Sequence, residues 1–136
     1  MTIVFEETIQ LEAQSVKALY DDVKWIAYTN DMARLMEAIK NSLSVITDWD
    51  SGKLVGLIRV VGDGKTIIYI QDILVLREYQ SKGIGSKLLE LLLLKYKDVR
   101  QKVLLTNDAA DVRAFYEKHG FSSCDKGDLV SFAMLG

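Results

Sequence analysis

The chain has 136 residues, of which 49% are hydrophobic and 26% are charged, and this balance predicts one folded domain over residues 1–136. With a net charge of -2, the chain lacks the excess of basic residues that is typical of nucleic-acid-binding proteins. Its apolar runs are far shorter than the roughly 20 residues of a membrane span. Residues 1–7 carry no signal-peptide pattern, and one cysteine excludes an internal disulfide, so we expect a cytoplasmic protein that binds neither nucleic acid nor membrane.

The first half of the chain alternates between strand and helix patterns. A strand is predicted over residues 3–5, then a helix over 11–20 and a second helix after the capping pair Asn30-Asp31. Runs rich in β-branched residues predict strands over 43–49, 54–61 and 66–76, separated by glycine-bearing polar turns at 50–53 and 62–65. We expect these three strands to pair in series as an antiparallel sheet.

The second half opens with a long helix from Gly83, whose apolar face carries Ile84, Leu88, Leu91, Leu92 and Tyr96. A strand over 103–106 follows, and the order strand, helix, strand predicts a right-handed crossover with a parallel pair. A helix over 111–119 should end at Gly120, and residues 121–124 and 129–134 are predicted to close the chain as a hairpin. The expected fold class is α+β, with a mixed, mostly antiparallel sheet flanked by helices.

The turn before the long helix, residues 80–85 with the sequence Gln-Ser-Lys-Gly-Ile-Gly, is typical of an anion site. Its two glycines let the backbone approach a ligand closely, and a helix N-terminus presents unpaired amide donors and the positive end of a dipole. A P-loop would need another glycine five residues before Gly85, and the Rossmann fingerprint would need Gly or Ala in place of Leu88. A nucleotide-binding protein is therefore the least favoured class.

Residues 71–89, in which Gln80, Gly83 and Gly85 fill the pattern Gln/Arg-x-x-Gly-x-Gly/Ala, resemble the central motif of the GNAT family of N-acetyltransferases. Residues 114–121 are similar to that family's late helix with its tyrosine and terminal Gly-Phe, and the order of elements is similar as well. The resemblance covers nearly the whole chain. It implies a GNAT-type sheet with its β-α-β crossover at the CoA site, and direct transfer of an acetyl group from acetyl-CoA to a primary amine through a tetrahedral intermediate.

The resemblance also implies roles for single residues. Tyr116 would protonate the departing CoA thiolate, because a phenol with an ordinary pKa of about 10 stays protonated at neutral pH. Asp72 is our first candidate for the general base, directly or through water, and a structural role for it stays open. Amide donors near residues 73 and 74 would stabilise the oxyanion. The expected cofactor-binding residues are Ile73, Leu74, Val75, Gln80, Ser81, Lys82, Gly83, Ile84, Gly85, Ser86 and Asn107.

Three positions depart from the family pattern. Ala109 stands where many members have an asparagine that contacts pantetheine, and Asn107 is the nearest substitute. Arg77 replaces a common proline, and Ser81 replaces a frequent glycine. The sequence therefore predicts a turn at residues 80–85 but does not predict the exact path of its backbone.

Trp25 and Tyr28 are the candidate substrate-binding residues, because aromatic faces suit a cationic amine, and the acids Asp21 and Asp22 lie nearby with Tyr20. A core role for both aromatic residues is the alternative. His119 is expected to cap a helix end and Cys124 to lie in the core. One histidine and one cysteine are too few for a standard zinc site, so no metal is expected.

The acceptor, a small-molecule amine or a protein amine, is not fixed by these patterns, and neither is the oligomeric state, for which a homodimer is one option. A non-catalytic regulator that binds acyl-CoA in the same turn is the alternative function. Tyr116 argues against the regulator, because a sensor would not need an acid for the thiolate.

Overall fold

The computed structural model describes residues 1–136, which divide into two compact units, Met1–Leu105 and Thr106–Gly136. The strands of the first unit are β1 (Ile3–Glu7), β2 (Ser44–Asp50), β3 (Lys53–Gly62), β4 (Ile67–Val75) and β5 (Gln101–Leu104). Its helices are α1 (Ala13–Asp22), α2 (Ile26–Thr29), α3 (Met32–Lys40) and α4 (Ile84–Lys95), with a 3-10 turn at Arg77–Tyr79. The second unit contains α5 (Ala110–Lys118) and a 3-10 turn at Cys124–Lys126. The single domain expected over the whole chain stays a prediction.

The five strands form one sheet in the order β1-β2-β3-β4-β5. The pairs from β1 to β4 are antiparallel, whereas β4 and β5 are parallel and are joined through α4. This confirms the predicted mixed, mostly antiparallel sheet with one β-α-β crossover. No helix of the chain is both long enough and apolar enough to cross a lipid bilayer.

The core lies on both faces of the sheet, which explains why β3 is apolar almost throughout. Side chains alternate along a strand, so Gly56 and Arg59 of β3 face opposite sides. A Cβ atom on Gly56 would lie 3.3 Å from Ile84 of α4. Arg59 lies on the other face, where it shares the partner Asp72 with Tyr20 of α1. The large apolar side chains that are fully buried between these layers include Leu19, Leu35, Ile39, Leu57, Ile58, Ile68, Leu88, Leu89 and Leu92. Each contributes about 2 kcal/mol through burial.

The cap predicted at Asn30-Asp31 is confirmed at Asp31, whose side chain accepts a hydrogen bond of 3.1 Å from the Arg34 amide at the start of α3. The short helix α2 was not anticipated from the sequence. Its four residues are too few to show a helical repeat.

The predicted C-terminal hairpin is wrong. Residues 121–136 form no strand, and a 3-10 turn occupies Cys124–Lys126. The apolar run that suggested a strand is exposed, with Phe132 95% and Met134 101% accessible. Alternating apolar residues become a strand only where another strand supplies hydrogen-bond partners, and none pairs with this segment.

A carboxyl group is buried without a partner beneath α4. Asp48 of β2 is fully buried opposite Gly56, and neither of its carboxyl oxygens has a hydrogen-bond partner. A Cβ atom on Gly56 would lie 2.7 Å from Asp48 Oδ2, so this carboxyl group uses the space that the glycine leaves. Burial disfavours the charged form and raises the pKa of Asp48 from 3.8 to about 7.

The raised pKa of Asp48 predicts a pH-dependent stability. Between about pH 4 and pH 7 the native state retains a proton that the unfolded chain has lost, so stability falls as pH rises through this window. Asp48→Asn removes that slope. The free energy of unfolding of the variant, relative to wild type, should rise by about 2 to 3 kcal/mol between about pH 5 and pH 8.

Denaturant titrations at the two pH values measure this difference. Asp98→Asn is the matched control, because Asp98 is exposed and its replacement should leave the slope unchanged. Equal slopes for wild type and Asp48→Asn would show that the Asp48 carboxyl group is not held neutral in the folded protein.

Candidate functional site

The predicted anion site is an exposed turn in which two residues have a positive φ. Gly83 is the N-cap of α4 and has a φ of 83°, in the left-handed region that glycine adopts without steric cost. Ser81 also has a positive φ, of 63°. We call residues 80–86 the amide cradle.

The amide cradle holds unpaired hydrogen-bond donors. The first amide of α4 that donates within the protein is that of Lys87, which bonds to the Gly83 carbonyl oxygen at 3.0 Å. No hydrogen bond within the protein uses the amides of residues 81–86. Because the helix dipole places partial positive charge at this end, the cradle suits a phosphate-bearing ligand.

Side chains fix the turn that leads into the cradle. The Gln80 amide group donates a 2.9 Å hydrogen bond to the Val75 carbonyl oxygen at the end of β4. The Arg77 backbone amide donates to Asp22 Oδ2 at 2.7 Å, and the Tyr79 hydroxyl donates to Asp50 Oδ2 at 2.6 Å. A proline at position 77 has no backbone N–H, so the contact with Asp22 gives a physical reason for a residue other than proline there.

Ser81 is the strained member of the cradle, because a side chain with a Cβ atom costs about 1 kcal/mol or more in the left-handed region. Ser81→Gly is therefore expected to raise the free energy of unfolding by about 1 kcal/mol. Denaturant unfolding measures the gain. Ser51→Gly is the matched control, because Ser51 has a φ of 50° in the β2–β3 turn and should show a similar gain away from the cradle. No gain in either variant would contradict the strain argument.

Next to the cradle, β4 has an open edge. β5 pairs only with residues 67–70 of β4, and the last partners are Ile70 and Leu104. The β3–β4 register shifts at the same point, since Arg59 pairs with Asp72 and Val60 pairs with Ile70, which leaves Gln71 as an extra residue. Such a bulge bends the strand and increases its twist. Residues 71–75 are therefore the open edge of β4, and the predicted residues Ile73, Leu74 and Val75 lie on it.

Behind the open edge lies a buried polar network made of Tyr20, Tyr28, Arg59 and Asp72. Asp72 is 1% exposed and accepts hydrogen bonds from the Tyr20 hydroxyl at 2.8 Å and from Arg59 Nε at 2.8 Å, both at Oδ2. Its Oδ1 accepts from the Tyr28 hydroxyl at 2.7 Å. The ion pair with Arg59 neutralises a charge that would otherwise be costly to bury.

The two predicted substrate-binding residues differ in burial but lie together. Tyr20, Trp25 and Tyr28 form a ring cluster with centroid distances of 5.2 to 6.2 Å. Trp25 is 36% exposed, and Tyr28 is half-buried with its pKa raised by burial. The structure thus places both residues between the core and the surface.

The acids predicted near them are already engaged. Asp21 contacts Lys17 and Thr29, and Asp22 contacts Arg77. Both carboxylates are therefore already paired with groups of the protein and are not free to pair with a cationic ligand.

The remaining predicted residues belong to the second unit. Tyr116 of α5 is half-buried, packs edge-on against Phe115 and Phe121, and has its pKa raised by burial, so it stays protonated at neutral pH. Asn107 is exposed ahead of α5, where its carbonyl oxygen accepts a hydrogen bond from Ala109. His119 is the C-cap of α5 and its Nδ1 lies 2.8 Å from the Phe115 carbonyl oxygen, which confirms the capping role.

Cys124 is exposed in a 3-10 turn, so its predicted place in the core is wrong. The prediction assumed a strand that does not form, and the thiol therefore faces solvent.

Sequence reasoning missed Arg59 and Gln71. Arg59 is a lone charged residue within a β-branched run, and a charge in a buried strand signals a buried partner. The sequence around Gln71 carries no such signal. The position of its side chain depends on the bulge in β4, and the bulge arises from the pairing of β3 with β4.

Comparison with known proteins identifies the fold and the family. The sequence profile "Acetyltransferase (GNAT) domain" matches residues 34–123. A solved GNAT-family acetyltransferase from Streptococcus pneumoniae superposes with a TM-score of 0.88 at 32% identity, over 99% of this chain and 98% of that one. An N-acetyltransferase from Prochlorococcus marinus, described as ycf52-like, is 28% identical over 96% of this chain and 74% of its own length.

An aminoglycoside N-acetyltransferase solved in complex with CoA shares the fold, with a TM-score of 0.73 at 14% identity over 98% of this chain and 95% of that one. Together with the amide cradle and the open edge of β4, the profile match and the similarity to the Streptococcus pneumoniae protein show that this chain belongs to the GNAT family of N-acetyltransferases.

Proposed function

We propose that the protein transfers the acetyl group of acetyl-CoA directly to a primary amine, with the amide cradle holding the CoA pyrophosphate. The observation that carries this proposal is the run of unpaired amides over residues 81–86 beside the open edge of β4. The complex of the related aminoglycoside N-acetyltransferase with CoA supports the same ligand for this fold.

In this proposal the pantetheine arm and the thioester lie along the open edge of β4. The Leu76 amide donates to the Val55 carbonyl oxygen of β3, and amide directions alternate along a strand. The amides of Leu74 and Asp72 therefore point toward β3, and those of Ile73 and Val75 point toward the open edge. Ile73 is the amide donor that polarises the thioester carbonyl and stabilises the oxyanion.

Proton transfers complete the reaction. The amine nitrogen attacks the thioester carbonyl carbon, the tetrahedral intermediate collapses, and the carbon–sulfur bond breaks as Tyr116 donates its hydroxyl proton to the CoA thiolate. The proton lost by the amine passes to the Tyr28 oxygen while the Tyr28 proton moves to Asp72 Oδ1. Asp72 is thus the base that acts through Tyr28, since its own oxygens are buried.

The acceptor is a small-molecule or protein amine that reaches the ring cluster. Trp25 and Tyr28 form the aromatic wall of the acceptor site, and a cationic amine is attracted to such ring faces.

Calorimetric titration with acetyl-CoA, followed by a thiol-release assay with a panel of amines, tests the proposal. We expect binding, thiol release with at least one amine, and no competition from ATP. Binding without thiol release would instead indicate a non-catalytic acyl-CoA-binding regulator, and the absence of binding would overturn the proposed function.

A further inference from the structure

We propose that Gln71 and Tyr28 together hold the acceptor nitrogen, and that the buried Asp72–Arg59 ion pair orients them for this task. The inference rests on the proposed function and adds a specificity-determining residue, Gln71, to it. The site so formed prefers an acceptor that has at least two N–H bonds, which is a primary amine.

The bulge in β4 creates the arrangement. Consecutive side chains of a regular strand point to opposite faces, yet the neighbours Gln71 and Asp72 both contact the Tyr28 hydroxyl, at 3.0 and 2.7 Å. The extra residue at the bulge redirects the Gln71 side chain to the face that carries the ring cluster. Gln71 is exposed, whereas Asp72 is buried, so the hydrogen bonds run from the core to the surface.

The hydrogen bonds leave acceptors rather than donors for a ligand. The Tyr28 hydroxyl gives its only hydrogen to Asp72 Oδ1 and accepts one from Gln71 Nε2, so one lone pair of its oxygen stays free. Gln71 Oε1 accepts no hydrogen bond within the protein. These two oxygens can each accept an N–H from a neutral primary amine, which has two N–H bonds. An alcohol has only one O–H to donate, and a neutral secondary amine has only one N–H.

The ion pair keeps Tyr28 in this state. Asp72 is held on its other oxygen by Arg59 Nε and the Tyr20 hydroxyl, and Arg59 Nη1 donates to Ser42 Oγ at 3.3 Å. Because Asp72 cannot turn away, the Tyr28 hydrogen points into the core and its oxygen faces the acceptor. Arg59 and Asp72 are therefore positioning residues for the contact with the amine.

The contact also lies at the right place along β4. Gln71 begins the open edge, two residues before Ile73, whose amide faces the proposed thioester position. An amine held by Gln71 and Tyr28 is thereby placed beside the carbonyl group that it attacks.

The test compares Gln71→Ala, Gln71→Glu and the control Gln14→Ala, which replaces an exposed glutamine of α1. The probes are hexylamine, benzylamine, spermidine and an alanyl peptide, and the best of these is then compared with its N-methyl derivative. Thiol release gives KM for the amine and for acetyl-CoA. Calorimetry gives the Kd of acetyl-CoA without turnover.

In Gln71→Ala we expect the KM for the primary amine to rise about fivefold to tenfold, as for the loss of one hydrogen bond, and the preference over the N-methyl amine to shrink by a similar factor. The Kd of acetyl-CoA should not change. Gln71→Glu keeps an oxygen acceptor but loses the Nε2 donor to Tyr28, so it should recover only part of the amine KM, and Gln14→Ala should match wild type.

An unchanged amine KM or an unchanged preference in Gln71→Ala would overturn the inference while leaving the acetyl transfer intact. An equal rise in the KM for both substrates would show a general structural defect and would also overturn it. Failure of the proposed function is seen separately, as a wild-type protein that releases no thiol with any amine.

Discussion

Replacing Gly83 with valine is expected to weaken acetyl-CoA binding by at least about a hundredfold. Gly83 has a φ of 83°, and a Cβ atom added to it would meet no protein atom within 4 Å. That open space lies at the N-terminus of α4, where the proposed pyrophosphate approaches the free amides. A branched side chain would fill the space and shift the backbone toward negative φ, which turns the amides away. Calorimetric titration measures the loss.

The protein offers a matched control for this variant. Gly52 in the β2–β3 turn also has a φ of 83° and also has nothing within 4 Å of an added Cβ atom. Gly52→Val should carry a similar cost in stability, about 1 to 3 kcal/mol, but should bind acetyl-CoA like wild type. Equal loss of binding in both variants would mean that backbone strain, and not the cradle, controls the affinity.

Replacing Tyr116 with phenylalanine is expected to lower kcat by about a hundredfold or more while the Kd of acetyl-CoA stays unchanged. The half-buried phenol has its pKa raised by burial, so it carries its proton at neutral pH and can give it to the thiolate. The ring contacts with Phe115 and Phe121 do not need the hydroxyl, so the fold should tolerate the change. Steady-state kinetics together with calorimetry separate the two effects.

Tyr96→Phe is the control, because Tyr96 caps the far end of α4 and plays no part in the proposed chemistry. An equal loss of affinity and turnover in Tyr116→Phe would contradict the acid role. A more acidic leaving thiol should reduce the defect of Tyr116→Phe, since such a thiol departs without protonation.

Local patterns determined most of the first unit. Periodicity and glycine-bearing turns predicted β2, β3, β4 and α4 to within about two residues, because each buries a face with a repeat that the sequence displays. The capping residue Asp31 was likewise predicted, since a helix cap depends on a few neighbouring residues. The motif around Gln80, together with residues 114–121 and the order of the elements, indicated the family.

Local patterns failed where pairing between distant segments decides the structure. The apolar residues 129–134 have the composition of a strand, but a strand needs a partner, and this one has none. Cys124 was misplaced for the same reason.

The sequence by itself determined the serial pairing of β2, β3 and β4, the parallel crossover through α4, the turn that forms the amide cradle and the residue types available for catalysis. Only the tertiary structure decided that Asp72 is buried with Arg59 and reaches the surface through Tyr28. These three residues come from β4, β3 and α2, and Tyr28 and Asp72 are separated by 44 positions, so no local repeat relates them. The bulge at Gln71 arises from the register between two strands, which is fixed by packing across the whole sheet rather than by the residues next to it.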